Sequence, residues 1–202
     1  MPHRMYSLPL PRAKTVVPQP LARFTGTITV DGKSQASTRW VGSQNHNWGS
    51  RHTDRYAWGQ VAGFDDQPDA FLECSTARLK VGPVMTPPLS VAALRLGDEV
   101  LSCTGLYYAV RALGAYAPYQ WHLETTGKPG TLDVRISADP SEFVALRYPN
   151  PPGGTKICLN SKLAHCEITV RRPNLAPLVL RSSRAAFEIL ADTAPPGVEP
   201  SV

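Results

Sequence analysis

Along almost every segment of this chain, apolar and polar side chains alternate with a period of two, and no stretch sustains the 3.6-residue period of a helix of real length. That pattern narrows the possible folds more than any other feature. "FTGTITVDGK" sets Phe24, Ile28 and Val30 on one face with threonines on the other, and ends in Asp31-Gly32, a hairpin signal. "RYAWGQVAGF" aligns Tyr56, Trp58, Gln60 and Phe64, and "YQWHLE", "TLDVRIS" and "EFVALRY" alternate in the same way. "GTKICLNSKLAHCEITV" keeps Ile157, Leu159, Ser161 and Leu163 in phase, then passes the apolar face to Cys166, Ile168 and Val170. A change of phase near Ala164 predicts a bulge or sharp bend in one long strand. "LVLRSSRAAFEIL" reads as a closing strand because of its β-branched start and its place after a turn. Roughly nine or ten antiparallel strands separated by short turns predict an all-β barrel or strongly curved sandwich with little helix.

A chain of 202 residues is long enough for one domain with a sizeable core. Eight of the 20 prolines bunch at the two ends and the rest punctuate the middle as turns do, which predicts a proline-rich extension over 1–20, a barrel domain over 21–192 and a flexible tail over 193–202. The net charge of +5 is spread out, with Arg171–Arg172 and Arg181 with Arg184 the densest groups, so no nucleic-acid partner is expected. Cys74, Cys103, Cys158 and Cys166 are too far apart for a CxxC zinc or redox motif. Pro9 and Pro11 break any apolar run behind Arg4, and no stretch approaches a membrane span. The expectation is a soluble cytoplasmic protein with reduced cysteines, no transmembrane segment, no metal and no cofactor.

Chemistry is concentrated in "VGSQNHNWGSRHTDRYAWGQV", Val41 to Val61, which packs His46, His52, Trp48 and Trp58 among carboxamides, an Asp–Arg pair and glycines. "NHNWGSRHTDRYAWGQ", with "FLECSTARLKVGP", "LRYPNPPGGTKICLNSKLAHCE" and "RAAFEIL", resembles the AttH-like lipocalin superfamily, which includes carotenoid 1,2-hydratases and tocopherol cyclases. The resemblance spans about residues 20 to 192, and its most specific element is the His-Asn-Trp-Gly segment. It implies a lipocalin-like β-barrel. Members typically carry two such barrels in one chain, and the matching segment sits near the start of the second. The expectation is therefore a second half alone, either truncated from a longer chain with its N-terminal domain missing or a single-domain relative, with a homo-oligomer as a way to complete the assembly.

In the hydratase and cyclase branches an acid protonates an isolated double bond, and aromatic faces stabilise the cation that water or an internal hydroxyl captures. By resemblance, His46 and Trp48 match the family's His-x-Trp. The resemblance puts the family's acidic position on the next long strand, where Glu73 is the candidate; the hydratases carry an aspartate after an aromatic in this region, and Phe71-Leu72-Glu73 departs from that pattern. Glu73 alternates with Phe71, Ser75, Ala77 and Leu79, so its face is largely apolar, and burial there raises a carboxyl's pKa. Glu73 and His46 are the catalytic candidates. Trp48, Tyr56, Trp58, Gln60 and His52 are candidates for lining a lumen around a small isoprenoid- or polyene-like ligand. Simpler roles stay open at each: loop hydrogen bonds for His46, a plug closing the barrel for Trp48, plain core for Tyr56 and Trp58. His46, His52 and Asp54 make a weak metal set, and Asp54–Arg55 reads as a loop-anchoring pair. Cys74 should point away from Glu73 and be inert, and "NPPGG" at 150–154 is a turn. Two functions follow: a module binding a hydrophobic ligand in its lumen, or an acid-catalysed hydratase, cyclase or isomerase.

Overall fold

The computed structural model describes residues 6–9, 11–128, 130–151, 153–196 and 198–201. In chain order the strands are β1 (Ala13–Val30), β2 (Lys33–Gly49), β3 (Arg55–Ala62), β4 (Ala70–Arg78), β5 (Lys80–Val81), β6 (Val84–Met85), β7 (Leu89–Leu96) and β8 (Glu99–Cys103). A six-residue helix, α1 (Leu106–Arg111), precedes β9 (Leu113–Ala117), β10 (Gln120–Gly127), β11 (Gly130–Ser137), β12 (Val144–Pro149), β13 (Thr155–Arg171) and β14 (Leu178–Ala191). The predicted all-β class, with little helix, is what the chain adopts.

Ten strands form one antiparallel sheet in the order β8-β7-β4-β3-β14-β13-β11-β10-β9, with β12 also pairing β13. The sheet curls until its two halves face each other. Trp121 on β10 stacks on Phe187 of β14 with ring centroids 6.3 Å apart, and its indole Nε1 donates to Thr76 Oγ1 of β4 at 3.0 Å. Gly59 on β3 makes room for this meeting: a Cβ there would lie 2.4 Å from Ile136 Cδ1 and 3.0 Å from the Trp121 ring. Leu72, Leu94, Leu101, Leu123, Leu132 and Ile168 complete a dry interior, each no more than 1% exposed. Among the described residues no ladder joins β8 to β9, so the curled sheet is not closed by hydrogen bonds into a barrel. The strongly curved form of the expectation describes it. No helix among the described residues is long and apolar enough to cross a membrane.

The phase change near Ala164 is a real bulge. The β13–β14 register shifts between Ser161 and Ala164 and again before Cys166. The bend lets one strand serve two neighbours, pairing β12 through Thr155–Asn160 and β11 through His165–Arg171. β14 is the closing strand expected of its sequence, joining β13 to β3.

β1 and β2 stand apart as a long two-stranded ribbon, turned at Asp31 (φ 51) and Gly32 (φ 75), the positive-φ pair of a tight hairpin. Phe24, Ile28 and Val30 are exposed on it and do not face a core, because the ribbon tip leaves the body of the sheet. The boundary expected at Leu21 falls inside β1, which begins at Ala13. The register slips between Val16 and Gln19 and between Gln19 and Ala22, around Pro18 and Pro20, which have no N–H to donate. At the other end, the segment read as a flexible tail brings Pro200 beside Ala145, and Ser201 N donates to Ala145 O at 2.9 Å. The predicted alignment of Phe64 with Trp58 also fails. Gly63 turns the chain at φ +83, and Phe64 enters the interior at 1% exposure.

β9 comes close to the opposite half of the sheet at Gly114, where a Cβ would sit 2.1 Å from Ser90 Oγ and 2.4 Å from Thr76 Oγ1. Gly114→Ala is expected to break the Thr76–Ser90–Trp121 hydrogen-bond set and lower unfolding stability by about 1–3 kcal/mol, read from the urea midpoint. An unchanged midpoint would show that the two halves of the sheet do not meet at this position.

Candidate functional site

Alternation along β3 sends Ala57, Gly59 and Val61 into the dry interior and leaves Tyr56, Trp58 and Gln60 on the opposite face of the sheet. Glu73 of β4 lies directly across from Gln60, and Glu188 of β14 lies across from Trp58 on the other side. Tyr56, Trp58 and Gln60, aligned by alternation, do share this face, and the β3–β4 pairing adds Glu73 to it. That face is not a lumen. The interior is filled by side chains, and the group looks outward, towards the β1–β2 ribbon.

Trp58 Nε1 donates to Glu73 Oε1 at 2.8 Å, and Gln60 Nε2 donates to Glu73 Oε2 at 2.6 Å. The ribbon closes over this set: Ser43 Oγ donates to Gln60 Oε1 at 2.5 Å, and Asn45 Oδ1 accepts from Gln60 Nε2 at 3.3 Å. Burial pushes the Glu73 carboxyl above its ordinary range, the bonds from Trp58 and Gln60 partly offset this, and Glu188 adds a further upward push. Between ribbon and sheet runs a groove of about 330 Å³, lined by Val41, Ser43, Asn45, Trp58, Gln60 and Lys162, with Arg184 and Ala186 also on its wall.

Glu188 is the hub of a second set. Its Oε1 accepts from Asn160 Nδ2 at 2.7 Å and Lys162 Nζ at 3.2 Å, and its Oε2 accepts from Tyr56 OH at 3.4 Å. The Lys162 ammonium lies 5.5 Å from the centre of the Trp58 ring. Burial, then Cys158 and Glu188, push the Tyr56 phenol up. The Cys158 thiol rises to about 12 through burial and Glu188. Neither group is poised as a nucleophile at neutral pH.

The remaining candidates lie elsewhere. His46 and Trp48 stack on each other on the ribbon, centroids 5.2 Å apart, with Tyr6 against Trp48 at 5.4 Å. They occupy positions of β2 alternate to Ser43 and Asn45, so they face away from Glu73. Trp48 thus plugs no barrel end. His52 packs its ring on Tyr148 at 5.5 Å, and its backbone N–H reaches Asn150 Oδ1. Asp54 does not pair with Arg55. It holds Arg51 and accepts from Lys80 N, while Arg55 pairs with Asp192 at 2.8 Å. Among the described residues no three His, Cys, Asp or Glu side chains converge as metal ligands would. Cys74 is buried on the interior face, its thiol pushed well above the ordinary range by burial, as its alternation with Glu73 implies.

Glu188, Asn160 and Lys162 escaped the sequence reading. The available signal was Glu188 in "RAAFEIL", a carboxylate alternating with the core residue Phe187. Only the β3–β14 pairing, which sequence alternation does not specify, brings it beside Trp58.

No family model matches the chain. Two uncharacterized proteins of Mycobacterium tuberculosis, from strains CDC 1551 and H37Rv, are each 26% identical over 161 residues, covering 79% of this chain and 47% of theirs. The chain thus spans about half the length of the curated relatives it matches. The crystal structure of kievitone hydratase from Nectria haematococca superposes with a TM-score of 0.50 at 17% identity, over 86% of this chain and 52% of that one. That likeness supports the lipocalin-like all-β fold.

The raised Glu73 pKa has a signature in stability. From the ordinary value of 4.5 up to its raised value, the folded chain keeps a proton that the unfolded chain has released. Stability therefore falls as pH rises through that window. Glu73→Gln should remove this fall, so the wild-type urea midpoint should drop relative to that of the variant as pH rises through the window. Parallel curves would mean that Glu73 titrates as an ordinary surface glutamate.

Proposed function

We propose that the chain is a lipocalin-like domain of the hydratase and cyclase kind. Its ribbon–sheet groove takes a small, largely apolar, isoprenoid-like molecule, and Glu73 is the proton donor at an isolated double bond. The observation that carries this reading is a carboxyl with a raised pKa at the edge of Trp58, beside a groove with apolar walls at Val41, Ala62 and Ala186. The fold likeness to a protein named as a hydratase supports it.

In this chemistry the Glu73 O–H bond breaks as its proton forms a C–H bond on one alkene carbon. Positive charge then develops on the neighbouring carbon beside the Trp58 indole. Water oxygen, or a hydroxyl of the substrate, bonds to that carbon and loses its proton, which restores the Glu73 carboxyl. Gln60 and Trp58 orient the carboxyl through its two oxygens, and the ribbon residues Ser43 and Asn45 hold Gln60 in place. His46, Trp48 and His52 take no part in the groove in this reading. In this reading the ligand sits in the ribbon–sheet groove, because the side chains that face the interior are buried against one another.

The test pairs binding with turnover on a panel of isoprenoid alcohols and polyenes. Trp58→Ala is expected to weaken binding by roughly 1–3 kcal/mol, the scale of one lost aromatic surface. Glu73→Gln should leave binding nearly intact and abolish product formation by mass spectrometry. Product formation that survives Glu73→Gln would remove the acid role and leave Glu73 as a clasp for Trp58 and Gln60.

A further inference from the structure

The Trp58 ring and the Glu188 carboxylate converge on one point, and that point is filled by an ammonium from the same chain. Lys162 Nζ lies 5.5 Å from the Trp58 ring centre and 3.2 Å from Glu188 Oε1. An indole face combined with a carboxylate is the pairing that recognises organic cations. We propose that Trp58 and Glu188 form a binding site for a compact organic cation of the quaternary-ammonium type, and that Lys162 is its displaceable internal occupant.

The two halves of this arrangement are anchored very differently. The Glu188 side chain is 18% exposed and accepts from Asn160 and Tyr56 as well as from Lys162. The Lys162 side chain is 60% exposed and springs from the bulge between Ser161 and Ala164, where the β13–β14 register is already broken. An exposed lysine ion pair is screened and contributes little, so withdrawing the ammonium into water costs little. A quaternary ammonium carries methyl groups, and the groove beside Trp58 offers them Val41, Ala62 and Ala186. The other groove cation, Arg184, has its guanidinium 2.8 Å from Asp65. The site shares its groove with the proton-transfer reading but stands on Lys162 and Glu188, with no turnover involved, so either can fail without the other.

The experiment follows the indole N–H resonance of Trp58, assigned by its loss in Trp58→Phe, at constant ionic strength. The probes are choline chloride and 3,3-dimethyl-1-butanol, its uncharged isostere. Choline should shift the resonance saturably, and the alcohol should not. Lys162→Met keeps the aliphatic stem and removes the competing charge. It should tighten choline binding about fivefold, the scale of one exposed ion pair. Glu188→Gln in the Lys162→Met background should weaken it about tenfold. Equal response to both probes would overturn the proposal, as would Lys162→Met binding choline no better than wild type. The Lys162 variant alters an exposed side chain, so that arm decides the question even if Glu188→Gln fails to fold.

Discussion

The stacking of Trp121 on Phe187 across Gly59 determines where the rest of this molecule's chemistry can go. Bringing β10 against β14 fills the space a lipocalin-like sheet would otherwise enclose, and Ile136 and the leucines of the interior complete the packing. Because strands alternate strictly, every residue that packs this interior sends its neighbours to the opposite face. Ala57, Gly59 and Val61 are inside; Tyr56, Trp58 and Gln60 are therefore outside. The outer face would be open to water were it not for the β1–β2 ribbon, whose Ser43 and Asn45 reach Gln60. The candidate site is thus made by two layers of different origin, a rigid sheet and a hairpin leaning on it.

The strand type, the hairpin at Asp31-Gly32 and the bulge near Ala164 were legible in the sequence because each is a local matter. A period of two, a pair of positive-φ residues and a change of phase all act within a few residues. The shared face of Tyr56, Trp58 and Gln60 was legible for the same reason, whereas Glu73 joins it only through the β3–β4 pairing. What that face looks onto was not. Alternation assigns residues to two faces and says nothing about which one is enclosed when both carry aromatic rings, and Trp121 and Phe187 won the interior over Trp58. Gly59 carried a hint, since a side chain missing from mid-strand marks close approach from across the sheet. The ribbon misled in another way: Phe24, Ile28 and Val30 have the pattern of a buried strand, yet their hairpin extends beyond the body.

His46 and Trp48 illustrate a further limit. Resemblance placed them with the acid, and in β2 they share one face, stacked on each other. The ribbon then turned Ser43 and Asn45, the alternate positions, towards the sheet. One residue of phase separates a histidine beside Glu73 from one stacked on the far side, and the phase is set by tertiary contact.

On the outer face, two carboxyl groups flank Trp58 from neighbouring strands and live in different surroundings. Glu188 has an ammonium at 3.2 Å and an amide at 2.7 Å. Glu73 has only neutral donors, the Trp58 indole and the Gln60 amide, and lies under the ribbon. Burial, and to a smaller degree the neighbouring Glu188, push Glu73 towards its neutral form, beside the apolar wall of the groove. Lys162 attends to Glu188 and rests over Trp58, so the ring face and the ring edge of one indole are served by groups of opposite character, an ammonium and a carboxyl.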